Sequence, residues 1–235
     1  MKKLFLTTVF LINIFSTDGF AQAFKKNTFV VNGGAGFGIG FDYRNYNSTT
    51  LSTNNGFAND ASDDLGFVVG AIFPIAAEYA ISNKFGLGVS FQHASYESGN
   101  FSKTITTSRS NSFGMFGAFH FARKEKIELY TRLNLGLSYM INIDKLDAYF
   151  YSSSANYPSN NLTYTYKLSG GFVKPSFGMR LYFTKNIGMF ADFGIGVYSY
   201  RTSQVESDQG TYDLQKRAHY VLINGELTTG LAFKF

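Results

Sequence analysis

The sequence predicts an all-β chain, an eight-stranded antiparallel up-and-down transmembrane β-barrel. Three observations carry that expectation. Charged residues make up only 16% of the 235 residues while aromatics reach 18%, whereas a soluble domain carries roughly 25% charge. Apolar and small residues alternate over eight segments, 28–44, 67–81, 85–95, 113–121, 127–141, 172–183, 187–199 and 219–235, and a period of two separates the opposite faces of a strand. Within those segments every Asp, Glu, Lys and Arg has an even number: Asp42, Arg44, Glu78, Glu128, Arg132, Lys174, Arg180, Asp192, Glu226 and Lys234. Cysteine is absent, which excludes disulfide scaffolds, thiolate nucleophiles and cysteine-held zinc or iron–sulfur sites.

Residues 1–23 read as a signal peptide ahead of a barrel domain at 24–235. Met1-Lys2-Lys3 gives a positive start, Leu4 to Phe15 an apolar core, and Ala21-Gln22-Ala23 the small residues of a cleavage site. Gly19 and Ala21 form a second such pair, so cleavage after Ala21 and after Ala23 both stay open. The apolar run is too short for a spanning helix, which needs about 20 residues, and without cysteine no lipoprotein anchor follows. Removing 1–23 lowers the net charge from +5 to +4. Lys and Arg are scattered, so no nucleic-acid partner is expected.

The segments justify themselves in turn. The first sets Phe29, Phe37, Ile39 and Phe41 on its odd face against Gly34, Gly36, Gly38 and Gly40 on its even face. The second brings Glu78 to the even face, the third His93 and Ser95 to the odd one, and the fourth carries none of the four charged types. The fifth opposes Ile127, Leu129, Leu133, Leu135, Leu137, Tyr139 and Ile141 to Glu128, Arg132, Asn134, Gly136 and Ser138. Lys174 and Arg180 lie on the sixth, Asp192 on the seventh. The eighth opposes Val221, Ile223, Leu227, Leu231, Phe233 and Phe235 to Asn224, Glu226, Thr228 and Lys234.

Two orientations are open to such a ribbon. If the odd face pointed inward, its aromatic rows would crowd an interior that eight strands make only wide enough for packed side chains or one small ligand. The even face, mostly Gly, Ser, Ala and Asn, would be a poor soluble surface. Reversed, the odd face meets lipid, and five acidic and five basic residues pair inside as a salt-bridged plug. Connections alternate between long (about 45–66, 96–112, 142–171, 200–218) and short (82–84, 122–126, 184–186), as spanning barrels require. Directly paired residues share a face, so a short turn must contain an odd number of residues. Three-residue turns favour a left-handed residue near their end, here Lys84 and Asn186.

At this point the chain resembles the small eight-stranded outer-membrane barrels of Gram-negative bacteria, the type formed by the transmembrane part of outer membrane protein A, porin-like in architecture. The resemblance covers 24–235 and rests on the leader, the eight segments and the ending LTTGLAFKF, which is similar to that family's assembly signal (Leu227, Leu231, Phe233, Phe235). It implies a bacterial outer-membrane location with periplasmic termini and extracellular long loops, contact with membrane lipid and the barrel assembly machinery, and a monomer. Members serve as structural proteins, adhesins, small-solute pores and enzymes, so function stays open among them. No peptidoglycan-binding domain follows Phe235, so a cell-wall tether is not expected.

Other motifs read as structural. Gly33 to Gly40 never gives G-x-G-x-x-G and no helical pattern follows it, so these glycines are interior strand positions. His93, His120 and His219 lack paired spacing for a metal. Asn59-Asp60-Ala61-Ser62-Asp63-Asp64 lacks calcium-loop spacing and reads as a solvated turn. No cofactor or metal is expected. His93-Ala94-Ser95 with Glu97 is similar in spacing to the lipid-facing residues of outer-membrane lipid A deacylases. That likeness implies a histidine base for a serine nucleophile, although the strand in question is early here and late in that family. The plainer reading is a polar rim where the apolar band ends. Lys103, Arg109, Lys145, Lys167, Arg201, Lys216 and Arg217 fall on the long-loop side within reach of lipopolysaccharide phosphates, or are simply solvated. Tyr149, Tyr151, Tyr157, Tyr164 and Tyr166 enrich the same side and suit adaptable contacts.

Overall fold

A computed structural model describes residues 24–45, 63–99, 105–123, 126–146, 162–207, 210–212 and 219–235. The leader at 1–23 lies outside these residues, as do 59–62, Lys103, Tyr149, Tyr151, Tyr157, Lys216 and Arg217. Among the described residues the chain is a closed antiparallel barrel of eight staves: β1 Phe29–Asn45, β2 Asp63–Ala80, β3 Phe85–Gly99, β4 Ile105–Arg123, β5 Ile127–Leu146, β6 Leu162–Tyr182, β7 Ile187–Ser207 and β9 His219–Lys234. Each pairs with its chain neighbour, and β9 closes on β1. A three-residue strand, β8 Gly210–Tyr212, pairs only with the far end of β7.

Period-two alternation holds along the staves except at two irregularities, between His120 and Ala122 and between Lys167 and Leu168. Every exposed large hydrophobic side chain among the described residues has an odd number and every buried one an even number, as does every buried polar residue. Paired residues therefore share parity along nearly the whole ladder. Following one row around shows the closure: Gly33 pairs Ile75, then Phe91, Phe113, Leu137, Gly171, Ser199 and Val221, which pairs Tyr43 on β1. The row returns ten residues along β1, so the strands tilt by about 40° for standard strand spacing and rise.

Staves of 15 to 21 residues exceed the 9–11 needed to cross a bilayer, and they outrun the alternating segments at the long-loop end. The long connections are accordingly shorter than the sequence suggests, because ladder pairing continues after the apolar signal has stopped. The short turns correct a second expectation. Asn27, at φ 68°, is the one non-glycine described residue with positive φ, so neither Lys84 nor Asn186 is left-handed. Hydroxyls do that work instead: Ser82 Oγ accepts the N–H groups of Lys84 and Phe85, and Thr184 Oγ1 those of Asn186 and Ile187. The expected five-residue turn at 122–126 is also revised. Pairing reaches Arg123↔Glu128, and a bulge between His120 and Ala122 absorbs the one-residue slip.

Two prolines sit within staves, where each removes a ladder donor. The β1–β2 register skips between Gly33↔Ile75 and Gly36↔Ile72, opposite Pro74, and the β6–β7 register skips between Val173↔Val197 and Ser176↔Gly194, at Pro175. At the β1–β9 seam backbones approach so closely that a Cβ on Gly36 would stand 2.1 Å from the Leu227 carbonyl oxygen. Glycine there is a requirement of closure.

Candidate functional site

The lumen holds most of the chemistry, since the alternation turns the even-numbered charged side chains inward. At the short-turn end, Glu78 (β2), His120 (β4), Glu128 (β5) and Arg180 (β6) form a ring with 0–1% exposure. Arg180 donates to Glu128 at 2.7 Å and to Glu78 at 2.5 Å. His120 Nε2 lies 2.7 Å from Glu78. Its Nδ1 lies 2.5 Å from Glu128 Oε1, an ion-pair contact without the angle of a directed hydrogen bond. A protonated His120 would, with Arg180, balance the two anions with two cations.

Phe24 closes this end. Residues 24–28 fold under the barrel: Asn27 N donates to the Ala80 carbonyl, Tyr79 Oη to Asn27 Oδ1, and Lys26 N to Asn83 Oδ1. That turn places the Phe24 ring, 1% exposed, flat on His120 with centroids 3.6 Å apart at 14°. Lys234, above the Tyr182 ring at 4.4 Å, lies at the same end.

Above the ring the packing loosens. Arg132 reaches Asp192 at 3.5 Å and Glu78 at 3.9 Å, its guanidinium over Phe116 and Tyr130. Arg132 Nε and Asn134 Oδ1 are buried without a hydrogen-bond partner among the described residues. These groups border a cavity of about 40 Å³, also lined by Ser90, Gln92, Lys174 and Glu226. A water needs about 10–15 Å³ of such space and polar partners, so this chamber takes a few. Its far wall is Lys174, which donates to Glu226 at 2.8 Å and also bonds Gln92, with Tyr198 donating to Glu226 at 2.8 Å.

Tyrosines fill the long-loop half. Tyr200 stacks on Tyr198 with centroids 6.1 Å apart and bonds Ser138, which bonds Ser112. Tyr96 accepts from Asn224. At the top Arg44 forks onto Asp42 at 3.0 and 2.9 Å, and Tyr220 and Ser98 also donate to Asp42.

All ten charged positions singled out from the sequence thus face the lumen, in three separate groups instead of one network. Sequence reasoning missed His120, the centre of the deepest group, because the histidines were compared with one another. Its even number, shared with Glu78 and Glu128, was the available signal. Phe24 lies outside any alternating segment and left none. Leu227, Leu231 and Phe233 sit on the outer face of β9, and Phe235 exchanges backbone hydrogen bonds with Phe29.

The hydrolase candidates stand apart from this site. His93 Nδ1 pairs with Asn111 Oδ1 at 2.9 Å across the β3–β4 ladder, and no hydrogen bond joins it to Ser95. On the other wall Lys167 pairs with Glu206 at 2.5 Å, while Arg109 and Arg201 are exposed.

No family model matches the chain, and no curated protein matches it. Among solved structures it is similar to the outer membrane protein OprG of Pseudomonas aeruginosa, with a TM-score of 0.53 and 10% identity over 91% of this chain and 98% of that one. Ail, the attachment invasion locus protein of Yersinia pestis, matches with a TM-score of 0.43 and 12% identity over 89% and 99% of the two chains. The N-terminal β-barrel domain of Pseudomonas aeruginosa OprF matches at 0.38 and 13% over 90% and 99%. At these identities the likeness is one of fold.

Proposed function

We propose that this chain, once freed of residues 1–23, is an integral outer-membrane barrel of a Gram-negative bacterium with a closed lumen, acting as a structural protein or through its long loops. The observation that carries this is the division of faces: exposed Phe, Leu, Ile, Val and Met on the odd side, buried ion pairs on the even side. An apolar belt of that extent is unsuited to water and suited to hydrocarbon. The termini and short turns face the periplasm and the long loops the exterior, the barrel is a monomer, and the ending at Phe235 is read by the assembly machinery. Three groups of buried ion pairs and a tyrosine stack favour a static plug.

A second reading, a small-solute pore, is favoured by one observation, the polar chamber bounded by the slack Arg132–Asp192 contact. Planar-bilayer recording of refolded protein separates the two. A closed plug gives no steady conductance, and a steady conductance in the wild type replaces the plug with a pore. Arg132→Ala is expected either to destabilise the barrel or to raise its conductance. Wild-type values for both would remove the charge network from the argument.

A further inference from the structure

The outer apolar belt is not level. On β2 it rises through Val69, Phe67 and Leu65, all exposed, and on β5 through Leu137 and Tyr139. Between them, on β3 and β4, it stops at the Phe91–Phe113 pair, whose ring centroids lie 4.9 Å apart. Above that aromatic floor are three cross-strand rows of polar side chains on the outer face: His93↔Asn111, Ser95↔Arg109 and Glu97↔Thr107. In register beside them are Phe73, Ala71 and Val69 on β2, and Tyr139, Ile141 and Ile143 on β5. The result is a polar notch two strands wide, cut into the belt and walled by apolar side chains. His93 is held by Asn111 and lies against the Phe73 ring at 6.4 Å. Arg109 and Glu97 are exposed and make no ion pair among the described residues.

Polar groups at membrane depth are costly unless polar partners meet them. A guanidinium binds phosphate through paired charge-assisted bonds. Ser95 and Glu97 present a hydroxyl and a carboxylate to sugar hydroxyls beside it, and the apolar walls continue into the chain region of the leaflet. We propose that this notch seats the phosphorylated sugar headgroup of a membrane glycolipid, with phosphate on Arg109 and acyl chains along the β2 and β5 walls. This rests on the outer-membrane reading and adds a ligand site to it. It gives the polar rim formed by His93, Ser95 and Glu97 a role in recognition.

The test uses the chain refolded into nanodiscs of phosphatidylcholine containing a small fraction of lipid A, with retained lipid A counted by native mass spectrometry after gentle extraction. Wild type should retain lipid A. Arg109→Ala should retain at least about tenfold less, the worth of a hydrogen bond to a charged group. Arg201→Ala, which removes an exposed arginine of the opposite wall, should behave as wild type. Both substitutions lie on the outer surface, and retained gel heat-modifiability verifies folding. Equal retention by wild type and Arg109→Ala overturns the proposal, as does equal loss in both variants, which would mean general charge attraction. Displacement of lipid A by millimolar inorganic phosphate overturns it too, since the site would then recognise phosphate alone. A chain that fails to enter nanodiscs at all refutes the membrane reading, a distinguishable outcome.

Discussion

Arg180→Met would remove the cation on which the deepest ion-pair group turns while nearly conserving its volume. Arg180 is wholly buried and bridges Glu78 and Glu128, themselves at 1% and 0% exposure. Its loss leaves Glu78 and Glu128 with His120 between them and only the more distant Arg132, 3.9 Å from Glu78. Breaking a buried pair by deleting one partner costs about 3–5 kcal/mol, which is roughly two to four powers of ten in the unfolding equilibrium. The assay is urea titration of the protein folded in lipid vesicles, scored by the mobility difference between folded and unfolded forms on cold gels. A companion variant sharpens the outcome. Arg180→Met with Glu128→Gln leaves Glu78 and His120 as a neutral pair, so it should be more stable than Arg180→Met alone, a coupling of about 0.5–3 kcal/mol. Lys167→Met, in the half-exposed Lys167–Glu206 pair at the barrel surface, should change little. A loss below about 1 kcal/mol for Arg180→Met, or no recovery in the double variant, would refute the claim that the ring is a charge-balanced unit.

Met115→Arg places a cation on the outer face of β4 between exposed Val89 and Leu135. It should cost about 2–4 kcal/mol in vesicles if that face meets lipid, and wild-type stability would sink that orientation. Phe24→Ala removes the buried ring that lies flat on His120 and should destabilise the barrel by about 3–5 kcal/mol. An unchanged urea midpoint would remove Phe24 as the closure. Gly36→Ala forces a Cβ against the Leu227 carbonyl and should destabilise by about 1–3 kcal/mol, with unchanged urea midpoints counting against a tight β1–β9 seam.

The barrel and its faces were legible because one variable, the parity of the residue number, controls them all. Glu78, Glu128 and Arg180 could be placed inside together from that alone. Partner choice could not, since Arg180 meets Glu78 across 102 residues and Asp42 meets Tyr220 across 178. Those meetings depend on how far the register climbs per circuit, which loop lengths do not encode. The upper strand ends were illegible for another reason. On β4 above Asn111 both faces are polar, with Ser110, Ser108 and Thr106 inside and Arg109 and Thr107 outside, so alternation vanishes while backbone pairing persists. In the short turns, Ser82 and Thr184 supplied with side-chain oxygens what a left-handed backbone would have supplied, a substitution that residue preferences at Lys84 and Asn186 do not reveal.

The closure of β9 on β1 has a kinetic consequence. Curling the sheet until the first and last staves meet is what brings cations and anions on distant staves face to face across the lumen. A ribbon still open at that seam would leave Arg180 only its ladder neighbour Glu128 and would part Glu78 and Glu226 from the cations they meet across the lumen, so no partly zipped sheet is a comfortable resting place in the bilayer. Insertion and closure must therefore proceed as one step, or under the shelter of another protein until the last strand docks.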